Sequence, residues 1–263
     1  MHERYTNRKL YFEEQSYTTQ KYVIPYINQV KQITANHVIL EIGCGEGGNL
    51  MPFVNLGCKV VGIDINNGQI QRAIEFYKDH SFAANTQFIS SDFYKITPES
   101  LPKFDFIIIR DVIEHIPNHD RFLIFLRQFL ADNGQIFIAF PPWRMPFGGH
   151  QQVCNSRLLS KLPYFHLLPK FLYKKIMNWY NENQGLIDEL AELKNTKMPI
   201  LKYKRLLKKA GYKIDRQTYY FINPNYEIKF KLKPRVLPKI LQIPFICDFY
   251  TTAHYSLISI KNK

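Results

Sequence analysis

The sequence predicts an α/β fold built on a doubly wound, mostly parallel β-sheet. Short apolar runs alternate with amphipathic segments along the first 140 residues, a pattern typical of parallel strands joined by helices. The runs VILEI (38–42) and FDFIIIRD (104–111) lack strict polar alternation, which indicates strands covered on both faces. A chain of 263 residues is long enough to bury such a sheet.

The predicted elements follow one another in regular order. Apolar residues at helical spacing predict a first helix over 16–33, with Ser16, Thr18 and Thr19 as candidate N-caps. A DNG turn at 132–134 is expected to precede the fifth strand. The same reasoning predicts strands over 38–42, 59–64, 86–92, 104–111 and 135–140, and helices over 49–56, 68–80 and 119–130.

The pattern changes after residue 141. A loop rich in proline and glycine leads into an aromatic and basic stretch, predicted helical over 155–195, and then into an amphipathic helix over 196–211. Strands are predicted over 212–221 and 254–260. We therefore expect a cofactor-binding core over 1–141, a helical lid insertion over 142–195, and a last helix with two final strands of the same domain over 196–263.

Charge is divided unevenly between the two halves. Residues 1–150 carry 14 basic and 15 acidic side chains, whereas residues 151–263 carry 21 and 7. Such asymmetry is typical of solvated basic helices, and it also suits an anionic partner.

The four cysteines form no C-x-x-C pair, and no apolar run is long enough to cross a bilayer. We therefore expect a cytoplasmic protein without disulfides.

Candidate ligand-binding residues lie where the predicted strands end. In open α/β sheets the ligand binds beyond the carboxyl ends of the strands. The stretch HVILEIGCGEGGNL there fits two templates, G-x-G-x-G and the dinucleotide-binding G-x-G-x-x-G. A carboxylate such as Asp64 can accept hydrogen bonds from both ribose hydroxyls. The other acidic residues at strand ends are Glu41, Asp92 and Asp111.

Four segments, ILEIGCGEG, GID, SDF and FDFIIIRDVIEHIP, together resemble the class I S-adenosylmethionine-dependent methyltransferases, in particular those acting on small molecules. The resemblance covers residues 38–140. It implies a Rossmann-like sheet of seven strands, the last antiparallel, with a helical insertion after strand five. It also implies S-adenosyl-L-methionine as cofactor, S-adenosyl-L-homocysteine as product, and cofactor-binding roles for Glu41, Gly43, Cys44, Gly45, Gly47, Asp64, Ile65, Asp92, Phe93 and Arg110.

The glycines alone do not separate this family from the nicotinamide-dependent oxidoreductases. Three features favour a methyltransferase: Glu41 before the first glycine, the SD pair that ends strand three, and the DVIEHIP stretch after strand four. An NAD(P)-binding oxidoreductase and an RNA methyltransferase remain the alternatives.

The expected chemistry is in-line methyl transfer, for which the protein aligns the acceptor and excludes water. His150 is the first candidate for a general base and Asp111 the second, and we expect no metal requirement. The aromatic and basic content of the insertion suggests a small-molecule or lipid-like acceptor, including one with an anionic group. Nucleic acid is the second candidate acceptor, and peripheral membrane contact is compatible with the basic half.

Overall fold

The computed structural model describes residues 7–261 and contains one eight-stranded sheet. The strands lie in the order β3-β2-β1-β4-β5-β8-β6-β7. They are β1 (Val38–Ile42), β2 (Lys59–Asp64), β3 (Thr86–Ser90), β4 (Phe104–Arg110), β5 (Leu130–Phe140), β6 (Tyr212–Ile222), β7 (Arg235–Val236) and β8 (Ala253–Ile260).

The sheet confirms the predicted doubly wound architecture. Strands β1 to β5 are parallel, and β8 pairs antiparallel with β5. The expected number of seven strands was one too low, because the two-residue strand β7 pairs with the outer edge of β6. So short an edge strand has no apolar alternation that a sequence pattern would reveal.

Helices cover both faces of the sheet. They are α1 (Arg8–Thr18), α2 (Ile24–Asn28), α3 (Met51–Asn55), α4 (Asn67–Tyr77), α5 (His119–Leu126), α6 (Lys170–Trp179), α7 (Gln184–Thr196), α8 (Ile200–Lys209) and α9 (Tyr226–Phe230). Alternate residues of β4 enter opposite cores, with Ile107 and Ile109 in one and Phe106 and Ile108 in the other. This explains why the strand is apolar throughout.

The first helix differs from the prediction. It begins at Arg8, where the side chain of Asn7 accepts from the Leu10 amide, so none of the three candidate caps is used. A π-helical turn over Thr19–Val23 then separates α1 from α2. Pro25 has no N–H to donate to the preceding turn, and the helix widens before it.

The fifth strand begins at Leu130, five residues earlier than predicted. Leu130 pairs with Phe104 and Gln135 with Phe106, so the register shifts across the predicted DNG turn. The turn residues bulge from the strand while the pairing with β4 continues on both sides of them.

The insertion after β5 has an apolar core of its own, formed by residues that include Phe165, Tyr173 and Ile187. Short 3₁₀ turns occupy much of 151–167, and α-helix begins only at Lys170. Helices α6 and α7 pack together, and α7 also contacts the turn Ile113–His115 that follows β4. The insertion therefore lies beside the carboxyl end of the sheet.

Strand order reverses at β1, which has β2 on one side and β4 on the other. The loops after β1 and β4 leave the sheet at this point, which is where open α/β sheets place their ligands. None of the helices within residues 7–261 is long and apolar enough to cross a lipid bilayer.

Candidate functional site

The glycine turn after β1 depends on left-handed backbone. The φ angles of Gly43 and Gly45 are +71° and +53°. A Cβ atom on Gly43 would lie 2.4 Å from the Val112 side chain, and one on Gly45 would lie 2.7 Å from the Gln69 amide oxygen. Other residues would be strained and crowded here, so the two glycines keep the cleft floor open.

Asp64, at the end of β2, fixes this turn. Its Oδ2 accepts from the Gly45 amide at 2.8 Å, and its Oδ1 accepts from the Asn66 amide at 2.8 Å. Each carboxylate oxygen keeps a further lone pair for a ligand hydroxyl. The adjacent helix α4 is capped by Asn66, whose Oδ1 accepts from the Gln69 amide, so Asp64 is not needed as the cap.

A buried polar network lies beneath the turn. The Arg110 guanidinium donates to Thr19 Oγ1 at 2.8 Å and Asn49 Oδ1 at 2.6 Å through Nη1, and to Asn225 Oδ1 at 2.9 Å through Nη2. Asn49 in turn donates to Glu41 Oε1 at 2.7 Å. The network joins the ends of β1 and β4 to the helices above them.

Burial raises the pKa of Glu41 to about 8, although the Asn49 hydrogen bond and nearby Arg110 oppose the change. The carboxyl group is fully buried and its Oε2 has no hydrogen-bond partner. Glu41 therefore braces the turn from below as a protonated acid at neutral pH.

These elements enclose a cleft with a cavity volume of about 160 Å³. Gln15 lines this cleft, and its buried Oε1 has no hydrogen-bond partner among the described residues. Residues that line the cleft are Tyr11, Glu14, Gln15, Thr18, Gly43, Gly45, Asn49, Asp64, Gln69, Arg110, Asp111, Val112, Asn225 and Ile228.

A hydrogen-bonded clamp over the cleft joins α9 to α1 and to the π-helical turn that follows α1. Glu227 of α9 accepts from the Tyr17 hydroxyl at 3.1 Å, the Tyr22 hydroxyl at 2.6 Å and Lys21 Nζ at 2.9 Å. Burial and the hydrogen bond to Glu227 raise the pKa of Tyr22 to about 12, so its hydroxyl stays a donor. The clamp holds Asn225 and Ile228 against the cleft.

A second group of titratable side chains follows β4. Burial lowers the pKa of His150 to about 4, helped by its neighbours His115 and His166, and burial together with Asp111 raises the pKa of Glu114 well above its usual range. The rings of His150 and His115 lie 5.0 Å apart. Burial lowers the pKa of His115 as well, so it favours the neutral form of both imidazoles.

Ligand atoms of Glu114, His115 and His150 lie within 4.8 Å of one another. Imidazole nitrogens and a carboxylate are donors that divalent transition metals accept, so the trio has the composition of a metal site. The sequence analysis had expected no metal requirement.

The cleft brings together five of the predicted residues: Gly43, Gly45, Asp64, Arg110 and Asp111. The other predicted positions lie outside its lining. Glu41 and Cys44 are buried beneath the turn, while Ile65 is 77% exposed. His150 lies in the loop after β5, beside His115.

Asp92 and Phe93, for which the resemblance implies cofactor-binding roles, also lie outside the lining. Asp92 caps a 3₁₀ turn, where its Oδ1 accepts from the Tyr94 amide at 3.0 Å. The Phe93 ring packs in the core against the rings of Phe122, Phe125 and Phe129.

Gly47 serves packing within the turn. Its φ is +78°, and a Cβ there would lie 2.9 Å from the Phe88 ring and 3.1 Å from the Tyr77 ring. The Tyr77 hydroxyl donates to the Gly47 carbonyl at 2.6 Å. The third glycine of the G-x-G-x-G template thus allows α4 to approach the turn.

Sequence reasoning missed several polar residues of the cleft, among them Gln15, Asn49 and Asn225. Asn49 directly follows the glycine turn, and that position is the signal that would have indicated it. Gln15 and Asn225 carry no local signal, because α1 and α9 reach the cleft only through the tertiary fold.

A family model described as a methyltransferase domain matches residues 17–217, about three quarters of the chain. The ubiquinone biosynthesis O-methyltransferase of Bartonella bacilliformis is 36% identical over 162 residues, which cover 58% of this chain and 62% of that protein. The corresponding protein of Pelagibacter ubique is 35% identical over 107 residues, covering 40% and 42%. The chain therefore matches less than two thirds of the length of these relatives.

Among solved structures, magnesium protoporphyrin IX methyltransferase from Synechocystis, with bound S-adenosylhomocysteine, superposes with a TM-score of 0.54. The alignment covers 95% of this chain and 84% of that one at 14% identity. At this identity the likeness concerns the fold.

We expect Gly47→Ala to lower the free energy of unfolding by about 1–3 kcal/mol, because the left-handed backbone and the two aromatic rings both oppose a Cβ. Gly68→Ala in α4 is the matched control. A Cβ there meets only ordinary contacts, and alanine favours helix by about 0.5–1 kcal/mol. Urea unfolding of both variants measures the difference, and equal stabilities would contradict the packing role.

We expect Glu41→Gln to remove part of the pH dependence of stability. Between pH 4.5 and about 8 the folded protein keeps a proton on Glu41 that the unfolded chain releases, so the wild type loses stability relative to the variant as pH rises. Urea unfolding measures the free energy of unfolding of both proteins across this pH range. The difference between the two values removes the contribution of the histidines, which both proteins share. A stability difference independent of pH would show that Glu41 is ionised when folded.

Proposed function

The chain belongs to the class I S-adenosylmethionine-dependent methyltransferases, and from that premise we propose that it transfers a methyl group to an oxygen of a small-molecule or lipid-like acceptor. S-adenosylmethionine is the family's cofactor, and it supplies a methyl group already activated on a sulfonium. The observation that carries the proposal is the cleft at the reversal of strand order, where Gly43, Gly45, Asp64 and Arg110 meet. Oxygen as the methylated atom rests on the relatives named O-methyltransferases.

The residues of the cleft fit this cofactor by chemistry. Asp64 has lone pairs directed at the ligand side and would accept from the ribose hydroxyls. The buried cation of Arg110 would attract the carboxylate of the methionine part. Gln15 also lines the cleft, and its side-chain amide would offer a further hydrogen bond to the ligand.

In the proposed reaction the protein aligns the acceptor oxygen with the methyl carbon and removes the acceptor proton. Asp111 lines the cleft, and its charge acts on His115, whose ring neighbours His150. We assign proton acceptance to His150 or Asp111, since both lie on the side of the site formed by β4 and the loop after β5.

The insertion is proposed as the lid over the acceptor. The insertion packs on the turn Ile113–His115 through α7, so it adjoins His115 and the neighbouring Asp111. Closure of a helical unit there would exclude water from the methyl-transfer step.

Labelled S-adenosylmethionine, offered with amphiphilic hydroxylated small molecules and with RNA, tests the acceptor class. Label transfer to RNA alone would refute the small-molecule proposal.

We expect Asp64→Ala to weaken S-adenosylhomocysteine binding by about 1–3 kcal/mol, the cost of hydrogen bonds lost from the ribose. Calorimetry measures the change, with Asp79→Ala at the C-terminal end of α4 as the control carboxylate. Unchanged affinity in a folded Asp64→Ala variant would remove the ribose assignment. Tight binding of wild type to a nicotinamide dinucleotide alone would refute the cofactor fit.

We expect His150→Asn to reduce turnover roughly 100-fold or more if His150 is the base, with S-adenosylhomocysteine affinity unchanged. Asparagine tolerates the left-handed backbone at this position, where φ is +58°. His80→Asn, outside the cleft lining, is the control. Full turnover in His150→Asn would leave Asp111 as the proposed base.

A further inference from the structure

The segment 229–246, which begins with the last two residues of α9, exposes an unusual amount of apolar surface. Of the 24 large apolar side chains exposed among residues 7–261, eight lie in this segment. Ile240 is 81% exposed and Val236 54%. The other six are Phe230, Leu232, Leu241, Ile243, Phe245 and Ile246. A concentration of exposed apolar side chains of this kind marks an interaction surface.

The same segment is strongly basic. It carries five lysine or arginine residues and no acidic residue. Four of the five basic side chains are exposed, and between 229 and 236 they alternate with apolar ones along the chain. The basic residues are Lys229, Lys231, Lys233, Arg235 and Lys239.

The fold holds the segment in place while leaving these side chains outside. Leu237 is buried against Ile200 and Tyr219, and its amide donates to the Tyr219 carbonyl at 2.7 Å. At the far end the buried Asp248 accepts from Arg144 at 2.9 Å and from the Ile200 amide at 3.2 Å. Prolines at 234, 238 and 244 restrict the backbone between these anchors.

We propose that the segment 229–246 is a docking surface for an anionic lipid bilayer. Aliphatic side chains enter the headgroup region, and lysine and arginine bind the anionic headgroups, so the combination of the two suits a bilayer. Single-stranded nucleic acid would instead favour aromatic stacking platforms, whereas six of the eight exposed apolar side chains in this segment are aliphatic. A second copy of the chain would oppose five positive charges with five more.

The surface is continuous with the roof of the cleft. Asn225 and Ile228 line the cleft, Glu227 forms the clamp, and the docking segment begins at the next residue, Lys229. Docking of the segment 229–246 would therefore place α9, which lines the cleft, next to the bilayer. Membrane binding itself does not depend on the proposed methyl transfer.

The full chain is sedimented with vesicles of phosphatidylcholine alone and of phosphatidylcholine mixed with phosphatidylglycerol. We expect binding to the anionic vesicles, weakened by salt. Val236→Ser with Ile240→Ser, and separately Lys231→Gln with Lys233→Gln, should each reduce binding by about tenfold or more. Controls remove exposed groups of the same kind elsewhere: Ile74→Ser with Ile124→Ser, and Lys59→Gln with Lys95→Gln.

Absent or equal binding to the two vesicle types would overturn the proposal, and so would equal losses in the control variants. RNA binding that depends on Lys231 and Lys233 but not on Val236 and Ile240 would assign the surface to nucleic acid. Dimerisation lost in Val236→Ser with Ile240→Ser would assign it to a second copy. S-adenosylhomocysteine calorimetry on every variant reports the cofactor site separately, so failure of the proposed function and failure of membrane docking are distinguishable.

Discussion

The buried guanidinium of Arg110 is the interaction on which the cleft depends. Burying a cation is costly unless its donors are bonded, and here they bond to Thr19, Asn49 and Asn225. These partners come from the π-helical turn after α1, the glycine turn and the start of α9, and the last is 115 residues away along the chain. The hydrogen bonds that this one cation requires therefore hold three segments, which are separate in the sequence, around the end of β4.

Burial also decides how charge is distributed around this cation. It raises the pKa of Glu41 to about 8, so this carboxyl keeps its proton near neutral pH; it also raises the pKa of Glu114 and lowers the pKa of His150. The lining of the cleft combines the Arg110 guanidinium with the carboxyl groups of Asp64 and Asp111, an arrangement that suits a ligand with both a carboxylate and hydroxyl groups.

The C-terminal half of the chain supplies several of the elements that surround the cleft. Strand β6 leads into α9, whose Glu227 is clamped by the first helical segment, and the chain then continues into the exposed basic and apolar segment. The insertion after β5 approaches from the other side and contacts the turn after β4. The cleft, the insertion proposed as a lid and the proposed membrane surface are therefore formed by adjoining elements.

The sequence by itself determined the parallel sheet, its order of elements and five residues of the cleft. Apolar periodicity is local, and parallel strands bring their carboxyl ends to one edge, so Gly43 and Asp64 were predictable from spacing. Only the tertiary structure decided that Asn225 completes the cleft and that Phe93 packs in the core. Those outcomes depend on contacts between segments far apart in the chain, which local patterns do not encode. The same holds for β7, because two residues acquire a strand partner only when β6 is already in place.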